Sequence, residues 1–381
     1  MALPASPRLR FTDHPDLPRA IAEPFLLPVP GPAPPLTEEV LDASPLELPV
    51  CSPLRVRWIG RAIGNFKVAL ESHAIPARII KDSGSHSPLV QDLLYDSIPA
   101  IPRTFTDFRK WVEKNLPDPP PPVPAGLPVV SGESSTADPA PFDHAPRSAI
   151  PFEPTEGAAL ARIEEYFFET DGLRNYKKTR NGLIGAGYSS KFSVFLALGL
   201  VSARTLWAKV REHEARFGVH EGSEWMRFEL LWREFFKHQH LHAGERFFSR
   251  EGLQGRSQSP VRDYELFLRW TRAETGEPFI DANLRELNAT GFMSNRGRQN
   301  VASHFVHSLR LPWWWGARYF EYSLLDYDPT QNWGNWAYQA GVGADPRSFG
   351  GAPRLFDVRK QARDYDPDGA YQRFWGADPA G

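Results

Sequence analysis

The chain has 381 residues, of which 41% are hydrophobic and 24% are charged, and its formal net charge is −2 with histidine neutral. That length allows two or three domains with a sizeable core. The near-neutral charge excludes a nucleic-acid-binding protein of the overall basic type, and the single cysteine excludes an internal disulfide and a cysteine-cluster zinc site.

The chain begins with a leader, residues 1–54, that is predicted to be rich in proline and poorly ordered. Proline punctuates residues 24–53, which favours extended or disordered chain. The start, MALPASPRLRF, lacks the apolar core of a secretory signal, and no apolar run is long enough for a transmembrane helix. With the single cysteine, these features favour an intracellular protein and leave nucleus, cytoplasm and organelle open.

A small folded α/β region is predicted for residues 55–115. RVRWIGRAIGNFKVALESH (55–73) has the apolar spacing of a helix, and ARII (77–80) is typical of one short buried strand. FTDFRKWVEKN (105–115) predicts a second helix, with Thr106 as its N-cap.

The composition of the chain changes twice after residue 115. Residues 116–154 are dominated by proline and small polar residues, which predicts a solvated linker that buries little. Residues 155–381 carry several segments with apolar residues every three to four positions and no strand-like alternation, which predicts an all-helical domain.

Four segments of this helical domain carry chemistry. In YKKTRNGLIGAGYSSKFS (176–193), Ser189 and Ser190 precede a helix expected near Phe192. Hydroxyls and free N–H groups at a helix start can bind an anion, although an ordinary N-cap explains the same residues.

In FELLWREFF (228–236), Glu229, Trp232 and Arg233 share one helical face because they are spaced i, i+3 and i+4. Charged groups on an inward face would be costly unless something polar binds there. The alternative is a salt bridge on a solvated helix, which the flanking Phe and Leu residues make less favourable.

Two further windows, TGFMSNRGRQN (290–300) and LLDYDPTQNWGNWAY (324–338), combine carboxylates, amides, arginines and aromatic rings. Such a mixture suits a pocket for a large, flat, charged molecule. An Arg298–Asp326 pair is expected, and the Arg296 guanidinium could bind a phosphate. The chain has no GxGxxG motif, and its histidine cluster at 238–242 lacks HExxH, so no metal site is expected.

These segments occur in the order and at about the spacing of the flavin domain of the DNA photolyase/cryptochrome family. The resemblance covers about residues 156–375 and extends more weakly to 97–115. Phe228, Gln299 and Tyr338 are similar to the residues of the DASH branch, where ordinary dimer photolyases carry Asn, Met and Trp. The resemblance implies an all-helical FAD-binding domain, preceded here by an incomplete α/β, Rossmann-like region.

The resemblance also implies a role for each matching residue. Those expected to hold FAD are Tyr176, Ser189, Ser190, Ser193, Arg233, Arg298, Asp326, Asp328 and Asn332, with Asn332 facing flavin N5. Those expected to receive a flipped-out pyrimidine dimer and the neighbouring phosphate are Glu229, Trp232, Asn295, Arg296, Gln299 and Tyr338. Trp336 and Trp313 match the first two residues of an electron relay to the flavin, and Glu229 and Asn332 complete the catalytic set.

The implied activity is light-driven repair of cyclobutane pyrimidine dimers by electron transfer from reduced FAD, in single-stranded or flipped-out DNA. The protein is expected to be a monomer that binds neither a membrane nor a metal. The alternative is a blue-light receptor with flavin photochemistry and no repair. A third possibility is a degenerate chain whose helical domain is left uncovered and does not fold.

The chain departs from the family at three places. Pro260 stands where the third relay tryptophan is expected, so that Tyr264, Trp270 or another ring would have to substitute. AETGEP (273–278) replaces a more basic stretch at the expected DNA face. The N-terminal region is too short for a doubly wound sheet, so binding of an antenna folate is expected to be absent or weak.

Overall fold

The computed structural model describes residues 25–29, 35–45, 50–72, 77–81, 93–122, 142–345 and 355–376. Most of these residues are helical, which confirms the predicted mainly α fold. The helices are α1 (Glu38–Asp42), α2 (Pro53–Ser72), α3 (Phe105–Asn115), α4 (Glu156–Glu164), α5 (Gly172–Thr179), α6 (Ser193–Ala197), α7 (Ala203–Phe217), α8 (Glu221–Ala243), α9 (Tyr264–Thr271), α10 (Pro278–Thr290), α11 (Asn295–Ser303), α12 (Trp313–Ser323), α13 (Pro329–Gln339), α14 (Val358–Tyr365) and α15 (Ala370–Gly376). π-Helical turns at Glu165–Glu169 and His304–Ser308 continue α4 and α11, and a 3₁₀ turn at Gly244–Phe248 follows α8.

Two short strands precede the helical domain. β1 (Phe25–Val29) and β2 (Ala77–Lys81) pair in parallel, with Phe25 opposite Ala77. α2 connects them and packs against both, as a parallel pair requires. The short strand expected at 77–80 is therefore present, and the described residues hold one β-α-β unit in place of a complete doubly wound sheet.

The proline-rich leader contains more structure than its composition indicates. It supplies β1 and also α1, which packs against α12. Asp42 Oδ1 accepts hydrogen bonds from the indole nitrogens of Trp314 (3.0 Å) and Trp315 (2.9 Å), and its carboxylate pairs with Arg262. Leu41 is fully buried in the same contact. Proline restricts the backbone of the leader but does not prevent its apolar and acidic residues from docking on the helical domain.

The linker region is also partly packed. Residues 123–141 lie outside the described residues, but Phe142 (7% exposed) and Ile150 (0%) are buried. The ring of Phe142 lies 5.0 Å from the ring of Trp58 on α2. The prediction of a solvated linker therefore fails for residues 142–150, because Phe142 and Ile150 are buried in the core. The domain boundaries themselves stay a prediction.

Helix α3 spans the predicted residues 105–115, but its N-cap is Thr104 and not Thr106. The Thr104 side chain accepts from the backbone N–H of Asp107. Thr106 lies inside the first turn, where its own backbone is already helical. α3 packs against α8, and so brings the N-terminal region to the central helix of the larger domain.

Candidate functional site

Helix α8 is the central wall of the candidate site. It begins with a capping box, in which His220 Nδ1 accepts from the Ser223 N–H (3.1 Å) and Ser223 Oγ accepts from the His220 N–H (3.2 Å). It packs against α5, α7, α3 and α13, so it is surrounded by other helices along much of its length. The face that carries Glu229, Trp232 and Arg233 lies on the side of α13.

Glu229 is held by two donors. Arg180 Nη1 lies 2.6 Å from Glu229 Oε1, and the indole N–H of Trp225 donates to the same oxygen at 3.0 Å. Burial raises the pKa of the Glu229 carboxyl, and the charge of Arg180 and the Trp225 hydrogen bond offset part of that increase. Oε1 therefore accepts two hydrogen bonds, while Oε2 accepts none from the described residues.

Asp328 begins α13 and carries a second fixed negative charge. Its Oδ1 accepts from the backbone N–H groups of Thr330 (2.9 Å) and Gln331 (3.1 Å), as an N-cap carboxylate does, and Oδ2 lies 3.0 Å from Lys237 Nζ. Burial alone would raise the pKa of Asp328, but the charges of Lys237 and Arg233 outweigh it and hold that pKa well below its ordinary value. The carboxylate therefore stays ionised across the physiological range.

Asp326, two residues earlier, pairs with α11 as the sequence predicts. Arg298 Nη2 donates to both carboxylate oxygens of Asp326, at 2.9 and 2.8 Å, and Arg298 Nε donates to the carbonyl of Met293 at 2.9 Å. Ser294 caps α11 by accepting from the Gly297 N–H at 2.9 Å. The pair thus fixes the start of α11 against the loop before α13.

The first two turns of α13 carry an amide and a large ring. The Asn332 side chain donates from Nδ2 to the carbonyl of Ala317 on α12 at 2.9 Å, and the residue lines the first cavity. Trp336 is buried (2% exposed), with its ring between Phe305 and Phe320 and against the backbone of Gly316. Asn332 and Trp336 share a face because they lie four residues apart.

These side chains enclose two adjoining cavities. The first cavity has a volume of about 340 Å³ and the second about 270 Å³. Their common wall consists of Arg180, Glu229, Arg233, Asn295, Arg298, Asp326, Asp328 and Gln331. The first cavity is also lined by Trp232, Gln299, Asn332, Trp336 and Tyr338, and the second by Tyr176, Ser189, Ser190, Lys191 and Ser193.

The structure therefore brings together most of the site residues expected from the sequence. Two of them lie elsewhere. Arg296 is buried away from both cavities, with Nη2 donating to Asn181 Oδ1 at 3.0 Å and its guanidinium 4.4 Å from the centre of the Tyr365 ring. Trp313 is fully buried behind the cavity wall, with its ring 5.3 Å from that of Trp333.

Among the polar residues that line the cavities, Arg180 and Gln331 were not singled out from the sequence, whereas Lys191 was expected to add a charge beside the serine pair. Arg180 lies four residues after Tyr176, so the helical spacing that singled out Tyr176 could have indicated it. Gln331 donates from Nε2 to the carbonyl of Arg233 at 3.0 Å, a contact between distant segments that no local pattern announces. Lys191 follows the serine pair and adopts a left-handed backbone conformation, with φ of 61°.

Several buried polar atoms around the cavities have no hydrogen-bond partner in the described chain. They include Lys191 Nζ in the second cavity and Gln299 Oε1 in the first. Burial holds the pKa of Lys191 well below its ordinary value, although the ammonium lies on the face of the Tyr188 ring. Unpaired buried groups of both kinds fit a ligand that brings acidic groups to one cavity and donors to the other.

The part of the chain that the structure describes contains no helix long and apolar enough to cross a bilayer. In the same residues, no three His, Cys, Asp or Glu side chains are grouped as a metal ion would need. His238 instead bonds Glu234 Oε1 at 2.9 Å inside the core.

Comparison with known proteins was made on sequence and on fold. The family model for the FAD-binding domain of DNA photolyase matches residues 225–378. A cryptochrome DASH of Gloeobacter violaceus is 47% identical over 293 residues, which cover 75% of this chain and 58% of the relative. A cryptochrome DASH of Xenopus laevis is 44% identical over 298 residues, which cover 75% of this chain and 55% of the relative.

The crystal structure of a Synechocystis cryptochrome superposes with a TM-score of 0.77 and 31% identity, covering 98% of this chain and 89% of that one. The chain spans less than two thirds of the length of the curated relatives described above.

Proposed function

The chain belongs to the DNA photolyase/cryptochrome family, in its cryptochrome DASH branch, and we propose that it is an FAD-dependent enzyme that repairs cyclobutane pyrimidine dimers in single-stranded DNA under blue or near-UV light. The observation that carries this proposal is that Asn332 and Glu229 line one void, which continues into a second cavity bordered by hydroxyls and Lys191.

The donor set of the two cavities fits FAD. Ser189, Ser190, Ser193 and Lys191 offer hydroxyl and amine donors for the diphosphate, in a cavity where Lys191 Nζ otherwise has no hydrogen-bond partner in the described chain. Tyr176 lines the same cavity, and Arg233, Arg298, Asp326 and Asp328 form charged walls for the polar edge of a flavin. When bound, reduced FAD supplies the light-driven electron that splits the dimer.

The protein residues orient that chemistry. Since Asn332 Nδ2 donates to the Ala317 carbonyl, Oδ1 is the group of this side chain that would accept from an N–H of a reduced flavin. Glu229 has one oxygen taken by Arg180 and Trp225, so the other can accept from a pyrimidine N–H.

Two rings form a platform for an extruded dimer. The Tyr338 ring meets the Trp232 ring edge to face at 5.8 Å, and the Trp232 ring is stacked on Phe105 of α3 at 3.8 Å. Extrusion of a dimer from its strand costs a few kcal/mol, and stacking on such rings offsets about 1–3 kcal/mol per base. Single strands lower the cost further, which favours them as the substrate.

A repair assay tests the proposal. Purified protein should carry stoichiometric FAD, identified by extraction, and after chemical reduction and near-UV illumination it should clear dimers from single-stranded oligonucleotides faster than from duplexes. Illuminated protein with oxidised flavin and reduced protein in the dark are the controls. FAD binding without repair of either substrate would favour a blue-light receptor and contradict the enzyme assignment.

A further inference from the structure

A third cavity lies beside the first one, and its wall contains none of the residues assigned above to the flavin or the dimer. Its volume is about 400 Å³, compared with about 340 Å³ for the first cavity. It lies where α3 meets α5, α7 and α8, which supply Arg109, Lys177, Trp207 and Trp225 to its wall. Phe228 lines both cavities, so the third cavity is the immediate neighbour of the proposed dimer site on the α3 side.

Aromatic rings form the side of the third cavity that adjoins the first. The half-buried rings of Trp225 and Phe228 lie 4.8 Å apart between their centres. The Trp225 indole donates to Glu229 at 3.0 Å, so its ring is fixed next to the dimer site. Unpaired bases stack on such rings whatever their sequence, because every base has a π-face.

Two cations flank these rings. The Arg109 guanidinium lies 5.5 Å from the centre of the Phe228 ring, and the Lys177 ammonium lies 5.1 Å from the centre of the Trp225 ring. Each cation is paired with an exposed glutamate, at 3.8 Å for Arg109 and 2.9 Å for Lys177. Exposed ion pairs stabilise a protein little, so a phosphate can replace either glutamate at small cost. Both cations can therefore bind the backbone of a strand that passes the rings.

Three residues of the third cavity carry a buried donor without a hydrogen-bond partner in the described chain. The donors are Arg109 Nε, Trp207 Nε1 and Arg227 Nε. Such unpaired groups are uncommon in folded proteins, and they fit a ligand that brings acceptors. A nucleobase brings ring nitrogens and carbonyl oxygens that accept hydrogen bonds. The residues of this wall thus combine the rings, donors and cations that a nucleotide needs.

We propose that the third cavity holds the base next to the pyrimidine dimer in a single strand, against Trp225 and Phe228, with the adjoining phosphate bound by Arg109 and Lys177. The proposal rests on the proposed function, because it needs a dimer in the first cavity. It adds to that function a source of the preference for single strands. In a duplex the neighbouring base is paired and stacked, so that its entry into the cavity requires a second extrusion.

Removal of single bases from the substrate tests the site. Single-stranded oligonucleotides with one dimer carry an abasic site at either of the first two positions on each side of it. Their affinity for the FAD-loaded protein is measured in the dark, so that the dimer stays intact. One of the four abasic sites should weaken binding by about fivefold or more, because it removes the stacked base. An isolated dinucleotide dimer, which has no neighbouring base, gives the baseline.

Two variants on the α3 side connect the abasic effect to the third cavity. Leu116→Trp fills the cavity with a larger side chain, so it should weaken binding of the intact oligonucleotide, abolish the abasic effect, and lower the preference for single over double strands. Arg109→Gln should lower the salt dependence of binding by about 0.7 in log–log slope, as expected for one lost phosphate contact on a single strand. Lys110→Gln removes an exposed cation of the same helix from outside the cavity, and is the matched control.

FAD content and repair of the isolated dinucleotide dimer report on folding, and both should be unchanged in all three variants. Equal affinity for all the abasic oligonucleotides, or an abasic effect that persists undiminished in Leu116→Trp, would overturn the base site and leave the repair function intact. A reduced, illuminated protein that repairs neither the oligonucleotide nor the dinucleotide would overturn the repair function itself.

Discussion

Glu229 lines both cavities, and only one of its carboxylate oxygens, Oε1, accepts hydrogen bonds from the described chain. Replacing it by Gln keeps the volume and an acceptor for Trp225 but removes the charge that would hold a pyrimidine N–H. A hydrogen bond to a charged group contributes about 1.5–3 kcal/mol, so dimer repair by Glu229→Gln should fall roughly 10- to 100-fold while FAD is retained. Repair rates and extracted flavin are the measurements.

The matched control for Glu229→Gln is Glu224→Gln, an exposed carboxylate on the same helix, which should change repair less than twofold. Loss of FAD from Glu229→Gln would contradict the division of the common wall into cofactor and substrate contacts.

Glu286 is a buried carboxyl outside the cavities. Burial raises its pKa from 4.5 to about 7, although the Tyr371 hydroxyl donates to Oε2 at 2.6 Å. The unfolded chain therefore gives up this proton at lower pH than the folded protein does, and stability falls as the pH rises from about 4.5 through 7. The loss above that window is on the order of 3 kcal/mol.

Glu286→Gln removes that titration. The variant should therefore be more stable than the unmodified protein at pH 8 and nearly equal to it at pH 5. Chemical denaturation at both pH values gives the two free energies of unfolding. The exposed Glu245→Gln is the control, and an equal effect of Glu286→Gln at both pH values would refute the assigned titration.

At the scale of elements, α12 and α13 meet through a glycine. A Cβ on Gly316 would lie 2.2 Å from Cη2 of Trp336, a ring already held between Phe305 and Phe320. Gly316→Ala should therefore destabilise the protein by about 1–3 kcal/mol, and it should weaken FAD binding because the displaced Trp336 ring lines the first cavity.

A second glycine on a helix provides the control for Gly316→Ala. Gly60 on α2 has no atom within 4 Å of the position a Cβ would take, so Gly60→Ala should be neutral or stabilising by up to about 1 kcal/mol. Equal unfolding free energies for the two variants would show that α12 and α13 separate easily.

The spacing of apolar and polar residues predicted the elements whose formation depends mainly on their own sequence. The amphipathic pattern of 105–115 predicts α3, and the i, i+3, i+4 spacing of Glu229, Trp232 and Arg233 predicts their common face. β1 was missed because FLLPV contains Pro28, and proline argues against a strand except at an edge.

Contacts between distant segments were beyond the sequence. No sequence pattern near Asp42 predicts its hydrogen bonds with Trp314 and Trp315, which lie more than 270 residues away and become its neighbours only in the folded chain. Arg296 was expected at a phosphate because a guanidinium fits phosphate oxygens and because the family resemblance implies that contact, but the structure buries it against Asn181 and Tyr365. Its role as a DNA contact therefore stays a prediction with less support than that of Glu229.

At the scale of the whole molecule, the two cavities lie between α8, α11 and α13 and interrupt an otherwise continuous core. A ligand that fills them binds the folded chain only, so FAD should raise the melting temperature in a concentration-dependent way. At free FAD of about 1,000 times the Kd, the gain is about 4 kcal/mol.

Riboflavin, which lacks the phosphates and the adenosine, separates the contributions of the two cavities to this effect. It should stabilise the protein much less than FAD if Lys191 and the serines bind the diphosphate. Equal melting curves with and without FAD would contradict a preformed site.

The contacts of Asp42 with Trp314, Trp315 and Arg262 limit which fragments of this protein can fold. An expression fragment that started at residue 155 would match the helical unit by composition, yet it would strip the acceptor from two indoles and leave the Arg318 guanidinium without the Val40 carbonyl it holds at 3.2 Å. Such a fragment should come out insoluble or loosely packed, whereas one that retains residues 35–72 should behave like the intact chain. Residues 35–45 are thus expected to belong to the smallest unit that folds on its own, although more than 100 residues of sequence separate them from the helical domain.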